Sequence, residues 1–320
     1  MKLLEKYTKI LKILKCNKCN SSMSLRESNK ENFYNCKKCN NTYPIIDGII
    51  RCVPNDDWYE LTNRSNDIAE KTKNYFGFEW DYFSDWGFID DALIKGKEEK
   101  YFGGTIKNRI SAFDSKCRLN KEELSNKFIL DAGCGNGRYT FESVIRSKNS
   151  FLIGVDLGYG SVKAAQKNCG NFNNCLIIQA SLFDLPFKDK TLDSTFSNGV
   201  LMHTGNAELA FNEISRVIKS QGTFVAHLYG RLNIIWEIND FLIRSITTRL
   251  SIKLNLKFAK FMSRFSRKVS KIPYALFFLN LFVKLQSTEH HMFDWYSAPV
   301  ASHHKYRELI KWFQNNNFYI

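Results

Sequence analysis

The stretch Phe128-Ile-Leu-Asp-Ala-Gly-Cys-Gly-Asn-Gly137 sets the tightest limit on what this chain can fold into. Three apolar residues lead to a carboxylate, Asp131, and glycines follow at 133, 135 and 137. The pattern predicts a buried strand feeding a sharp turn, where backbone without Cβ atoms can come close to a ligand. From Arg138 the spacing turns helical, so the turn opens onto a helix N-terminus with free N–H groups.

Two cofactor chemistries use such a turn. A dinucleotide fingerprint needs G-x-G-x-x-G around a pyrophosphate. Here the third glycine comes one residue early, and Asp131 would repel a pyrophosphate. A carboxylate at that place suits a ligand carrying an ammonium and a sulfonium, which favours S-adenosylmethionine. Taken alone, the turn also fits an ordinary strand-to-helix connection. A second buried-type strand, Phe151-Leu-Ile-Gly-Val-Asp156, ends 19 residues beyond Gly137. Asp156 can accept from both ribose hydroxyls, a role it would play for either cofactor.

Residues 128–230 resemble the class I S-adenosylmethionine-dependent methyltransferases. The resemblance rests on Leu130–Arg138, Gly154–Asp156, Gln179–Phe187, Leu192–Thr204 and Glu213–Gly222, five motifs in the family's order. It implies a Rossmann-like α/β fold with a mostly parallel sheet. In this family the turn, here Gly133, Cys134, Gly135 and Gly137, holds the methionine part of the cofactor. Asp156 holds the ribose, and residues after the third strand, Ser181 among them, hold the adenine. Asp131, Leu157, Leu182 and Asn198 complete the expected cofactor set. The family usually has an acid where this chain has Ser181, and a hydroxyl is the weaker acceptor.

Strand patterns near 128–131, 151–156, 175–180, 192–197 and 222–229 alternate with helical ones, clearest at 161–167 and 207–218. Such alternation predicts a parallel sheet with helices on both faces and the ligand at the carboxyl ends of the strands. A further helix is expected from about His304 to Phe313. In the family a final pair of strands follows it, so either the sheet lacks its last strand or this is a shortened version of a longer protein.

The N-terminal region carries different chemistry. Leu3, Leu4, Tyr7, Ile10, Leu11 and Leu14 fall on one helical face. Then Cys16-x-x-Cys19 and Cys36-x-x-Cys39 follow, separated by sixteen residues. Two such knuckles can place four thiolates around one zinc, and four unrelated cysteines would rarely be spaced so. With all four positions taken by sulfur the zinc is structural, holding together a segment too small for its own core. The segment is similar to the small zinc ribbons that accompany some methyltransferases. The expected organisation is a zinc ribbon at 1–55, an aromatic-rich linker and lid at 56–127, and a methyltransferase domain at 128–320.

Within the middle region, Asn55-Asp-Asp57 reads as linker and Asn120 with Glu123 suits a capping box. Residues 75–88 hold eight aromatics in fourteen positions, too dense for a surface. They pack on the main domain, cover the cofactor, or both. Residues 231–290 form a basic helical insertion with eleven Lys or Arg against three acids, which is +8 of the chain's +14. Its centre, 253–271, reads as a basic amphipathic helix with Leu254, Phe258, Phe261, Met262, Phe265 and Val269 as apolar positions. A solvated face, an anionic membrane surface and RNA phosphates all remain open as its counterpart. Lysines at 6, 9, 12 and 15 interrupt the N-terminal apolar residues, and no apolar run reaches membrane-spanning length. A cytoplasmic protein is expected, in the membrane reading a peripheral one.

Methyl transfer from a sulfonium is an in-line displacement that needs alignment and, for a protonated nucleophile, a base. His203, just past the fourth strand of the main domain, is the candidate base, although a lone histidine is often only a satisfied polar group. His291 and Asp294 are further candidates. The expected acceptor is a small molecule, sugar or lipid. Ribosomal RNA, or a non-catalytic adaptor role, is the alternative.

Overall fold

The computed structural model describes residues 2–27, 32–53, 68–90, 102–119, 124–147, 149–231 and 233–320. The 55–57 linker and the Asn120/Glu123 pair lie outside them. Helix α1 (Lys2–Lys9) precedes four short strands, β1 (Met23–Arg26), β2 (Asn32–Cys36), β3 (Thr42–Ile46) and β4 (Ile49–Arg51), paired antiparallel in sequence order. Asp47 and Gly48, at φ +52° and +80°, make the two-residue turn between β3 and β4. Five parallel strands follow: β5 (Phe128–Ala132), β6 (Phe151–Asp156), β7 (Cys175–Gln179), β8 (Leu192–Asn198) and β9 (Ile218–His227). The last begins at Ile218, ahead of the expected 222.

The two strand groups are one sheet. β4 pairs parallel with β7, from Ile49 opposite Ile177 to Arg51 opposite Gln179. The order is therefore β1-β2-β3-β4-β7-β6-β5-β8-β9, with β9 at one edge. All three β4 residues are buried, as befits a strand covered on both faces.

Alternating residues of the strands fill two cores, one on each side of the sheet. Leu130, Ile153, Leu176 and Ile178 share a cluster with Tyr7, Ile10 and Tyr34 from the N-terminal region and with Phe211. Ile129, Leu152, Ile177 and Phe196 face the other way. There they meet Val144 of α4 (Arg138–Arg146) and Val162 of α5 (Tyr159–Cys169). Helix α1 is tied on by Lys6 Nζ donating to the Gly170 carbonyl at 3.0 Å. The chain after it adds Lys188 N donating to the Ile13 carbonyl at 2.8 Å.

Two helices precede β5, α2 (Ile68–Tyr82) and α3 (Ile106–Lys116), and α6 (Ala207–Val217) precedes β9. Helix α2 crosses α5 through two glycines: a Cβ on Gly160 would lie 1.9 Å from the Gly77 carbonyl oxygen. The remaining helices are α7 (Ile234–Thr247), α8 (Ile252–Val269), α9 (Ala275–Asn280), α10 (Glu289–Ser297) and α11 (Tyr306–Asn315). Tyr75 of α2 stacks on Phe293 of α10 with ring centroids 5.0 Å apart, and its hydroxyl donates to the Phe293 carbonyl at 2.9 Å. The aromatic-rich segment and α10 thus make one cover.

Helix α8 departs from its expected apolar face. It buries Asn255, Ala259, Ser263, Ser266 and Val269 and leaves Leu254, Phe261 and Phe265 exposed. Phe258 and Met262 still pack inward with α10, Phe258 meeting the Tyr296 ring at 6.0 Å, so the expected apolar face is divided between the core and the outside. Among the described residues, no helix is long and apolar enough to cross a membrane.

Candidate functional site

A cavity of about 630 Å³ opens at the carboxyl ends of the parallel strands, beneath α2 and α10. Gly133, Cys134 and Gly135 form part of its wall, with Asp156, Leu157, Ser181, Leu182 and Asn198. The three glycines of the turn do different things. Gly133, at φ +87°, leaves room for Val200, whose side chain would lie 2.4 Å from an added Cβ. Gly135, at φ +53°, admits the Trp80 ring, 2.7 Å from where its Cβ would be. Gly137, at φ +79°, starts α4 and faces Cys169 of α5 rather than the cavity.

Asp156 joins the two loops that border the cavity. Its Oδ2 accepts from Gly135 N at 3.0 Å and its Oδ1 from Gly158 N at 2.9 Å. Burial raises its carboxyl pKa, against the lowering effect of those N–H donors. Asp131 sits behind the wall, where Thr140 Oγ1 donates to it at 2.6 Å; burial pushes its carboxyl up to about 7. Ser181 lies at the wall, its Oγ accepting from Phe183 N at 3.1 Å.

His203 lies in a 3₁₀ turn (Leu201–His203) at the cavity. Its Nδ1 is 2.5 Å from the Val300 carbonyl oxygen, a contact that makes Nδ1 the protonated nitrogen. Nε2 then carries the lone pair and has no hydrogen-bond partner among the described residues. Phe76 and Tyr229 flank the ring at 4.9 and 5.5 Å, and burial lowers its pKa. Nearby, the Tyr229 hydroxyl donates to Asp294 Oδ2 at 2.9 Å.

His291 and Asp294 line the cavity too, with Trp80 of the expected aromatic cover and with Lys116, Arg138, Lys284 and His290, to which sequence reasoning gave no role. Burial lowers the pKa of both lysines. Burial, then the charges of Arg138, Lys116 and Lys284, bring His291 down to about 3. Glu79 and His290 lie 3.3 Å apart and are both buried, and desolvation raises the acid's pKa and lowers the imidazole's. Lys116 and Lys284 lie in segments with no recognisable motif. Only the density of aromatics near Trp80 signalled the cover.

Apart from this cavity, the thiols of Cys16, Cys19, Cys36 and Cys39 gather within 4.8 Å of one another. Each knuckle turns on an asparagine in the left-handed region, Asn20 at φ +60° and Asn40 at φ +57°. The N–H groups of Lys38 and Cys39 point at Cys36 Sγ from 3.4 and 3.5 Å, and the Tyr43 hydroxyl meets Cys16 Sγ at 3.2 Å. Four sulfurs so placed, with donors already aimed at them, could hold one metal ion.

Residues 123–248 match the family described as methyltransferase domain. An uncharacterized protein of Methanocaldococcus jannaschii is 30% identical over 153 residues, 48% of this chain and 55% of that protein. The malonyl-[acyl-carrier protein] O-methyltransferase of Legionella pneumophila is 27% identical over 113 residues, covering 35% of this chain and 40% of the enzyme. The sterol 4-C-methyltransferase of Caenorhabditis elegans is 25% identical over 187 residues, covering 54% and 51%. The chain thus spans about half the length of these relatives, between 40% and 55%. The family match falls on the parallel strands and glycine turn that build the cavity, so residues 123–248 are similar to a methyltransferase domain.

Proposed function

We propose that the protein transfers a methyl group from S-adenosylmethionine to a small-molecule, sugar or lipid acceptor. The observation that carries the reading is a single cavity lined both by the Asp156-linked glycine turn and by His203, whose buried Nε2 has no hydrogen-bond partner among the described residues. The backbone of Gly133 and Gly135 would cradle the methionine part, Asp156 and Leu157 the ribose, and Ser181 with Leu182 the adenine. Cys134 and Asn198 complete that wall, and Asp131 and Gly137 support the turn from behind. When bound, the cofactor supplies a methyl group on a sulfonium, a good leaving group. His203 Nε2 takes the proton of the acceptor, and the cover of α2 and α10 excludes water.

A cavity of about 630 Å³ beneath two helices suits a small acceptor or headgroup better than a polynucleotide, which is usually followed along a groove. Lys116, Arg138 and Lys284 add that the acceptor carries an anionic group. The four clustered thiols take a structural zinc, with residues 1–55 as the ribbon, 56–127 as linker and lid, and 128–320 as the catalytic domain with its 231–290 insertion. Nine unpaired cysteines suit the reducing cytoplasm.

The test is calorimetric titration of the zinc-loaded protein with S-adenosylmethionine and its demethylated product. Micromolar binding that disappears in Asp156→Ala is the expected result. A folded protein that binds neither ligand would overturn the enzymatic reading and leave the adaptor role.

A further inference from the structure

Helix α7 is turned inside out for a helix at a protein surface. Its inner side carries Trp236, Asp240 and Thr247. Trp295 Nε1 donates to Asp240 at 2.8 Å, and Arg244 donates to the Ala298 carbonyl at 2.6 Å. Its outer side presents Ile234, Ile238, Phe241 and Ile246, which are 76%, 52%, 70% and 64% exposed. Ile234, Ile238 and Phe241 form one stripe at helical spacing, and Ile235, Leu242 and Ile246 widen it on one side.

The patch continues onto α9 and the turn beyond it, where Phe277 is 63% and Phe282 47% exposed. Asn233 and Asn239 of the α7 region fix this neighbour, donating to the Leu281 and Phe282 carbonyls at 3.0 Å each. Scattered surface leucines need no explanation, but a contiguous apolar face does. Beside it, α8 interleaves the exposed Phe261 and Phe265 with Lys257, Lys260, Arg264 and Lys268.

Charge decides what this face meets. Of the three acids among residues 231–290, Asp240 and Glu289 are buried, and Glu237 lies 3.0 Å from His303. The exposed basic residues, Lys253, Lys257, Lys260, Arg264, Lys268 and Lys271, therefore dominate its outer field. A second copy would bring the same positive rim against itself. Nucleic-acid interfaces are polar and give no use to a stripe of isoleucines. A surface that is both apolar and anionic is a lipid interface.

We propose that α7 and α9 dock this protein peripherally on an anionic bilayer, with the basic side chains of α8 on the headgroups. This goes beyond the methyltransferase reading and does not depend on it.

The test is co-sedimentation of the full, zinc-loaded chain with vesicles of phosphatidylcholine alone or with about 30% phosphatidylglycerol, at low and high salt. Expected is binding to the anionic vesicles that weakens with salt. Phe241→Asp with Phe277→Asp, and separately Lys257→Glu with Arg264→Glu, should each lower the partition coefficient by roughly tenfold or more. Thermal stability and cofactor affinity should stay at the parent values. Ile234→Ser, at the most exposed position of the stripe, should still reduce partitioning severalfold if a double variant does not fold. Equal sedimentation of parent and variants, or no sedimentation at low salt, would overturn the proposal. A dimer in ultracentrifugation that Phe241→Asp dissolves would assign the face to a second copy instead. Tighter binding to RNA than to vesicles would also overturn it.

Discussion

The Arg51 guanidinium donates to Gln179 Oε1 at 2.7 Å, linking a strand of the cysteine-bearing region to the last residue of β7. Gln179 in turn donates from Nε2 to the Leu157 carbonyl at 3.1 Å, beside Asp156. Arg51 also lies over the Tyr159 ring, 5.1 Å from its centroid. Arg51→Ala opens a cavity and strips a buried acceptor of its donor. A loss of about 2–4 kcal/mol is expected, measured by denaturant unfolding, together with severalfold weaker S-adenosylmethionine binding by calorimetry. Unchanged affinity in a destabilised variant would show that the link is structural only.

Metal removal should act on the whole molecule. Because β4 is hydrogen-bonded to β7 and the two regions share a core, the metal knuckles and the cofactor loops have no separate sheets to unfold. Chelation, or Cys36→Ser, should lower the melting temperature by more than about 5 °C in a single transition and weaken cofactor binding with it. Two resolved calorimetric transitions would contradict this.

The crossing of α2 and α5 makes a sharp contrast between two glycines. An alanine Cβ at Gly160 would meet the Gly77 carbonyl oxygen at 1.9 Å, whereas one at Gly77 finds nothing nearer than 3.6 Å. Gly160→Ala should cost about 1–3 kcal/mol and pull the Trp80-bearing helix off its seat, raising the cofactor Kd. Gly77→Ala should be neutral or stabilising by up to about 1 kcal/mol. Thermal melts and Trp fluorescence of the two variants check the pair.

His203 sets the acid limb of the pH profile. Burial lowers its pKa, so the neutral base persists below the usual imidazole range and is lost only as pH falls through the lowered value. With the acceptor in hand, kcat/KM should stay level from neutrality down past about pH 6.5 and then drop. His203→Ala should reduce kcat by about 10²-fold or more and abolish that limb. A limb that survives the substitution would place the base elsewhere.

The glycine turn, the two acid-terminated strands and the paired Cys-x-x-Cys knuckles were legible because each is a local pattern whose residue types leave few alternatives. The union of the two sheets was not, since Ile49-Ile50-Arg51 is too short for its two-sided burial to stand out from any apolar tripeptide. The cavity cations were hidden for another reason. Lys116 ends a helix and Lys284 follows one, and only the tertiary fold brings both to His291. Periodicity found the amphipathic helix α8 but not which of its apolar residues pack, since Phe258, Met262 and Val269 face inward and Leu254, Phe261 and Phe265 outward.

The parallel seam between β4 and β7 also orders events in time. Arg51 leaves the ribosome 128 residues before Gln179, its side-chain partner. At about 5–20 residues per second the nascent chain spends on the order of ten seconds with that strand's edge bare. Metal capture by the two knuckles, complete once Cys39 has emerged, would keep the first hairpins folded through that interval. Synthesis under metal starvation would then leave that strand unpaired as the chain emerges, a template for aggregation before β7 exists to cover it.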